Sequence, residues 1–421
     1  MTRAMKDSGL EWIGMIPENW TTSKIDNLYS LRNTKVSDRD YQPLSVTKQG
    51  IIPQLETAAK TDAHDDRKLV KIDDFVINSR SDRRGSCGIS SLEGSVSLIN
   101  TVLSSKSNIS SRYYDWLFHT LQFGDEFYKW GHGIVDDLWT TNWQDMRNIS
   151  IPFPPIDEQE EIATFLDFKC SQIDQLSANI KQQIEGLSEY KKALITQAVT
   201  KGLDPDVEMK DSGIKWVGNI PQKWEVSPLY VCFKERKNKN KEEQENNLLS
   251  LSYGKIVRKP IDILEGLLPE SFSTYNIVEK GDIIIRPTDL QNDKKSLRTG
   301  LVQEHGIITS AYIDLYLTGI GDVRYYHYLL HAFDEAKVFY NMGNGVRQGL
   351  NYSTFSKLPI LTPSLEDQSN IADYLDSKCS LIDALVQTKN EKLDTLQDYK
   401  KSLVFDYVTG KKEVPADFRK E

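Results

Sequence analysis

KDSGLEWIGMIPENW, residues 6–20, returns as KDSGIKWVGNIPQKW at 210–224, 204 positions later. Two further blocks repeat in the same order. IDEQEEIATFLDFKCSQID (156–174) returns as LEDQSNIADYLDSKCSLID (365–383), and YKKALITQAVT (190–200) as YKKSLVFDYVT (399–409), both at an offset of 209. Chance does not produce three long matches in one order, so the chain is two copies of one unit of about 205–210 residues. Between the blocks the halves diverge and only echoes survive. LSVTKQGII (44–52) resembles LSLSYGKIV (249–257), DDFVINSR (73–80) resembles GDIIIRPT (281–288), and GHGIVDDL (131–138) resembles GNGVRQGL (343–350). Similar scaffolds with different loops are what two copies doing one kind of job on different targets would leave.

Each copy ends in a long helical pattern. After Pro154-Pro155, Asp157 is a candidate N-cap with Glu160 three residues on, and no proline follows until Pro205. Apolar residues fall at Ile173, Leu176, Ile180, Ile184, Leu187, Tyr190, Leu194 and Ala198, a narrow stripe with a period between 3.5 and 3.6. The second copy reads Ile382, Leu385, Lys389, Leu393, Leu396, Tyr399, Leu403 and Tyr407, broken only by Lys389. A one-striped helix of about 40 residues, roughly 60 Å long, needs a partner helix in water. The economical partner is its own repeat, in an antiparallel coiled coil related by pseudo-twofold symmetry, which would set the distance between the globular parts. Short strand-like runs (DDFVINS, GDIIIRP, GIITSAYIDLYL) mix with helical stretches at 111–122 and 323–333, so each globular part reads as α+β with a small sheet. The expected segments are 1–155 and 204–364, globular, and 156–203 and 365–421, helical.

With 421 residues, 39% hydrophobic and 10% aromatic, the chain can build real cores. Net charge is −9, which argues against coating nucleic acid through bulk charge. The charge is uneven: segments 156–203 and 365–421 together carry −6, and the other 316 residues only −3. No apolar run of about 18 residues suggests a membrane span. MTRAMKDSGLEW lacks the apolar core of a secretory signal, and four scattered cysteines without a C-x-x-C pair fit a reducing cytoplasm.

Catalytic signatures are missing. There is no P-loop, no G-x-G-x-x-G fingerprint and no H-E-x-x-H. FPPI (153–156) lacks the leading Asn or Asp and the aromatic of a methyltransferase motif. His327 and His331 have a spacing zinc can use but no third ligand nearby, and read as packing residues. Cys170 and Cys379 have no paired base and read as core. No catalytic residue, metal or cofactor is expected in this chain, which points to recognition.

Reading base edges needs Arg or Lys for guanine and Asn or Gln for adenine. Asn78, Arg80, Ser81, Arg83 and Arg84 follow a strand-like run, and at the matched place stand Arg286, Thr288, Gln291, Asn292, Lys294 and Lys295. A second loop pair offers Lys48 and Gln49 against Tyr253 and Lys255, and a third offers His132 against Asn344, Arg347 and Gln348. Lys234–Lys241 is basic but runs into Glu242, Glu243 and Glu245, and reads as a solvated loop. The rival to DNA reading is a coiled-coil scaffold with two protein-binding heads.

The duplicated DSGLEWIGMIPENW, IDEQEEIATFLD/LEDQSNIADYLD and Y-K-K-[AS]-L blocks, with the D-[FI]-[VI]-I segments, resemble the specificity subunits of type I restriction–modification systems over essentially the whole chain. That resemblance implies two target recognition domains, each reading half of a split double-stranded DNA sequence. It implies helices that set the gap and dock two modification subunits, which hold S-adenosylmethionine and methylate adenine. An ATP-dependent restriction subunit is a further possible partner. The resemblance does not fix single base contacts, because those loops vary by design.

Overall fold

The computed structural model describes residues 3–54, 64–80, 83–106, 108–134, 139–261, 271–288, 290, 297–342 and 349–418. They form two compact units, Met1–Ile180 with Asn390–Glu421, and Lys181–Lys389. The long helices, Ile156–Lys201 and Leu365–Val408, therefore divide between the units, so each unit joins one globular part to one half of each helix. The first helix begins at Ile156, so Asp157 lies inside the first turn rather than capping it.

The first unit is built on a four-stranded antiparallel sheet ordered Cys87–Ile89, Phe75–Asn78, Asn100–Ser105, Tyr29–Leu31. The second repeats it with Thr299–Leu301, Ile283–Ile285, Ile313–Leu317 and Phe233–Glu235. The strands Phe75–Asn78 and Ile283–Ile285 are central, and apolar but for Asn78 at the end of the first, because both their faces are covered. Phe75 and Ile77 face a large core while Val76 faces a smaller one, and Ile283, Ile285 and Ile284 divide in the same way. The turn before this strand needs a positive φ, met by Asp73 (+67°) in one copy and Gly281 (+96°) in the other.

One ion pair recurs at the sheet edge. Arg32 Nε and Nη2 donate to Asp74 at 2.6 and 2.9 Å, and Arg236 Nε and Nη2 donate to Asp282 at 2.8 and 3.0 Å. Both aspartates also accept a backbone N–H, from Lys71 and Glu279, at 2.8 and 2.9 Å. The copies then part. Arg32 N donates to Val102 O and Arg236 N to Asp314 O, both at 2.8 Å, so a buried carboxyl stands in the second copy where the first has valine.

The large cores tie each globular part to helix ends. In the first unit Trp20 meets Tyr113 edge-on at 6.5 Å, and the Tyr113 hydroxyl donates to Val408 O at 2.6 Å. In the second, Trp224 meets Tyr325 at 6.4 Å, and the Tyr325 hydroxyl donates to Val199 O at 3.4 Å. Gln159 and Gln368 clamp the helix starts. Each accepts a backbone N–H at 2.9 Å (from Ser110 and Asp322) and donates to a proline carbonyl (Pro154 and Pro363) at 2.8 and 2.9 Å.

Inside each unit the two helix segments run antiparallel. In the first, Phe165 lies 4.5 Å from Tyr407 and Lys400 donates to Asp174 at 2.6 Å. In the second, Lys191 donates to Asp383 and Lys389 to Gln183, each at 2.6 Å. The Asp174–Lys400 and Asp383–Lys191 pairs are copies, each residue 209 positions from its equivalent. Ile173, Ile180, Ile382 and Leu403 are buried, and Ile184, Leu187, Leu194, Leu393 and Leu396 are half-buried, as the stripe requires. Leu176 (41% exposed) and Leu385 (51%) are not, and neither are Tyr190 and Tyr399. Half-buried Ser177, Lys191, Val386 and Lys400 occupy the inner row instead. The lysines do so by laying their stems between the helices and carrying the ammonium to an aspartate at the edge. Lys389 also lies half-buried in the row and finds Gln183.

The histidine and cysteine readings concern packed residues. Cys170 and Cys379 are buried, and burial pushes the Cys170 thiol up to about 11. His327 lies in the helix Val323–Glu335 with its Nε2 buried and unpartnered, and burial lowers it to about 3. Among the described residues, no helix is long and apolar enough to cross a membrane.

Candidate DNA interface

In the first unit the central strand ends at Asn78, whose side chain accepts the Arg80 N–H at 3.0 Å and turns the chain. Ser79 is buried, bonded to Thr101 at 3.0 Å, so this turn is anchored to the sheet. Arg80 and His132 both bridge Thr140 in antiparallel register, which brings two loops together around one residue. His132 Nε2 sits 3.1 Å from Asp145. Arg80, Arg83, Arg84 and His132 are exposed. The Arg84 guanidinium stacks over Tyr128 at 4.1 Å and pairs with Asp125 at 3.1 Å, which fixes its direction.

The hairpin Leu44–Thr47/Gly50–Pro53 presents exposed Lys48 and Gln49 at its tip. It packs against the strand that leaves the arginine loop, so closely that a Cβ on Gly88 would stand 2.9 Å from Gly50 Cα. All three loops therefore gather around the ends of the strands Phe75–Asn78 and Cys87–Ile89.

The described residues of the second unit repeat the anchoring contacts. Arg286 follows the central strand and is half-buried, and Thr288 is exposed. Buried Arg298 donates to the carbonyls of Arg286 and Thr288 from beneath. The hairpin Leu249–Ser252/Lys255–Arg258 lies over the strand Thr299–Leu301, and Tyr253 and Lys255 are exposed. Leu350 N bonds to Pro287 O at 3.0 Å, as Thr141 N bonds to Ser79 O at 2.9 Å, so the chain at Leu350 meets the end of the central strand as it does at Thr141. Ser81, Gln291, Asn292, Lys294, Lys295, Asn344, Arg347 and Gln348 lie outside the described residues.

Sequence reasoning missed Thr140 and Tyr128, which order the first-unit loops. It also missed a groove of mixed polar and apolar lining in the second unit, formed by Lys237, Ser310, Tyr312, Ile313, Leu350 and Asn351 among others. A signal existed for Asn351: with Asn142 it forms a repeated N-cap, 209 residues apart, accepting backbone N–H groups of a short helix in each copy.

One scaffold used twice, with cation-bearing loops gathered at the matched end of each copy, defines a two-headed recognition protein. Residues 17–186 and 319–395 match the family described as type I restriction modification DNA specificity domain, and the chain belongs to that family. It is 27% identical over 337 residues to the type I restriction enzyme MjaVIII specificity subunit of Methanocaldococcus jannaschii, covering 76% of this chain and 74% of that protein. It is also 27% identical over 281 residues to the putative MjaX specificity subunit of that organism, covering 64% and 61%. Among solved structures it resembles a chain from work on complex assembly and conformational transition of the type I R-M system. There the TM-score is 0.70 at 11% identity, over 94% of this chain and 99% of that one. It also resembles the HsdS subunit of Thermoanaerobacter tengcongensis, with TM-score 0.51 and 14% identity over 94% and 98%.

Proposed function

We propose that this chain is the DNA-reading subunit of a type I restriction–modification complex, with each globular part reading one half of a bipartite duplex target. The observation that carries this is that three loops gather at one end of the first unit's sheet, and that the hairpin, Arg286–Thr288 and Leu350 meet at the matched end of the second, with different residues at the tips. Anchored scaffolds with variable polar tips suit base-edge readout, while exposed cations around them supply phosphate contacts. The net charge of −9 fits a reader whose binding strength comes largely from partners. In this reading the chain contributes no catalytic group and works in the cytoplasm. Two modification subunits supply S-adenosylmethionine and adenine methylation, and an ATP-driven restriction subunit is a further partner.

The helices offer the docking surface. In the first unit Leu176 and Tyr399 are exposed, and in the second Tyr190 and Leu385 are, each about 50° to the same side of its helix's inner row. The two pairs are copies, so two equal partners would each find the same Leu–Tyr patch. Leu176→Glu with Tyr399→Ser should weaken capture of one modification subunit about tenfold or more, since apolar anchors dominate such contacts. Native mass spectrometry of the mixed subunits then shows one partner bound instead of two. Retention of two partners at wild-type affinity would place docking elsewhere. The DNA reading itself is tested by reconstituting the complex and measuring which duplexes it methylates. A complex that methylates without sequence preference would favour the scaffold alternative.

A further inference from the structure

In the second unit's hairpin Ser252 stands opposite Lys255, so Tyr253 and Gly254 alone make the turn. Their φ angles are +46° and +78°. Positive φ at both positions is the type I′ turn, which asparagine followed by glycine suits best. Glycine is at ease there. A tyrosine is strained, because its Cβ crowds the backbone in the left-handed region. Packing does not offset that strain, for Tyr253 is 88% exposed. The equivalent hairpin of the first unit places its positive φ on Gly50 (+99°) and has no aromatic in Lys48-Gln49. Folding therefore explains the turn but not the tyrosine.

The tip is also rigidly placed. A Cβ on Gly254 would lie 2.9 Å from Leu297 Cδ1, so the turn rests on the chain that leaves the Arg286 loop. Lys255, two residues on in the same hairpin, is exposed, with Nζ 3.9 Å from Asp383. A strained, exposed ring at the tip of a two-stranded ribbon, with a cation two residues on, matches the chemistry of a stacked base flanked by phosphate.

We propose that Tyr253 is a stacking probe that presses its ring against a base of the second half-site and partly unstacks it, with Lys255 holding the adjacent phosphate. This rests on the DNA reading above and adds a mechanism to one half of it. The first half-site, facing Lys48 and Gln49, is read without such a probe.

Two variants of the full chain test it, assembled with the modification subunits on a target duplex carrying 2-aminopurine at adenines of the second half-site. Tyr253→Asn creates the preferred Asn-Gly turn, so it should raise the melting midpoint of the chain by about 1–4 °C. It should also lower target affinity about tenfold, the low-to-middle range for one stacked base, and abolish the 2-aminopurine fluorescence increase. Tyr253→Phe keeps the ring and should match wild type within about twofold. A Tyr253→Asn complex that binds and fluoresces like wild type would overturn the proposal, as would a Tyr253→Phe complex as impaired as Tyr253→Asn. Loss of modification subunits from the Tyr253→Asn complex with unchanged fluorescence would assign the ring to a protein contact and overturn it too. A wild-type complex with no sequence preference would instead defeat the DNA reading on which it rests.

Discussion

Arg236→Met destabilises the second unit by about 3–5 kcal/mol, the range for stripping the partner from a buried charge. Arg236 makes two hydrogen bonds to buried Asp282 and lies 3.9 Å from the fully buried carboxyl of Asp314. Without the guanidinium, two neighbouring carboxyls face an apolar core. Arg32→Met should cost less, because Val102 replaces the second carboxyl and Asp74 alone loses its partner. Asp314→Val, which copies the first repeat, should stabilise the wild-type chain and recover part of the Arg236→Met loss.

This cluster also sets a pH dependence. Burial, with Asp282 close by, pushes the Asp314 carboxyl up to about 8 from its ordinary 3.8. The folded form holds a proton that the unfolded chain releases near pH 4. The stability tied to that proton is full below pH 4 and is lost as pH rises toward 8. Urea denaturation at pH 5 and pH 8 checks both claims. Wild type should be markedly weaker at pH 8, and Asp314→Val should flatten that difference. Equal slopes in the two proteins would show that Asp314 is not the group responsible.

Alanine at Arg80, Arg83 and Arg84 together should cost about a hundredfold or more in methylation of the target, at roughly 1–3 kcal/mol per lost base contact. The loss should fall on one half-site. Target changes in that half, which wild type rejects, should become tolerated, while changes in the other half stay rejected. Folding should survive, since Arg84 and Asp125 form an exposed pair of small worth. Competition assays with singly altered duplexes in the reconstituted complex measure this. Undiminished modification would return the loops to ordinary solvated surface.

The duplication, the long helices and the α+β character of each copy were legible because they rest on repetition and period, which a sequence states directly. The helix seam was only partly legible. Apolarity favoured Leu176 and Tyr190, whereas the structure puts Ser177 and Lys191 in the row, because Lys191 reaches Asp383 and so satisfies its charge. An ion pair between residues 192 positions apart leaves no periodic trace. The loop clusters were visible as polar residues at matched positions, but their convergence was not. That convergence depends on Thr140, Gly88 and Leu350, residues whose importance is contact across the chain rather than chemistry. Asp314 was hidden for a related reason: a lone aspartate in IDLYL reads as an outward residue until strand pairing sets it opposite Ile284.

Mapping N6-methyladenine in DNA of cells carrying the complete complex, with either the wild-type chain or the Arg80, Arg83 and Arg84 alanine variant, decides whether the two globular parts read two halves of one target. Two separate reading heads yield a split motif for wild type, two specified halves around an unspecified gap, and in the variant loss of specification in one half alone. A wild-type motif without a gap, or a variant in which both halves blur together, would contradict it.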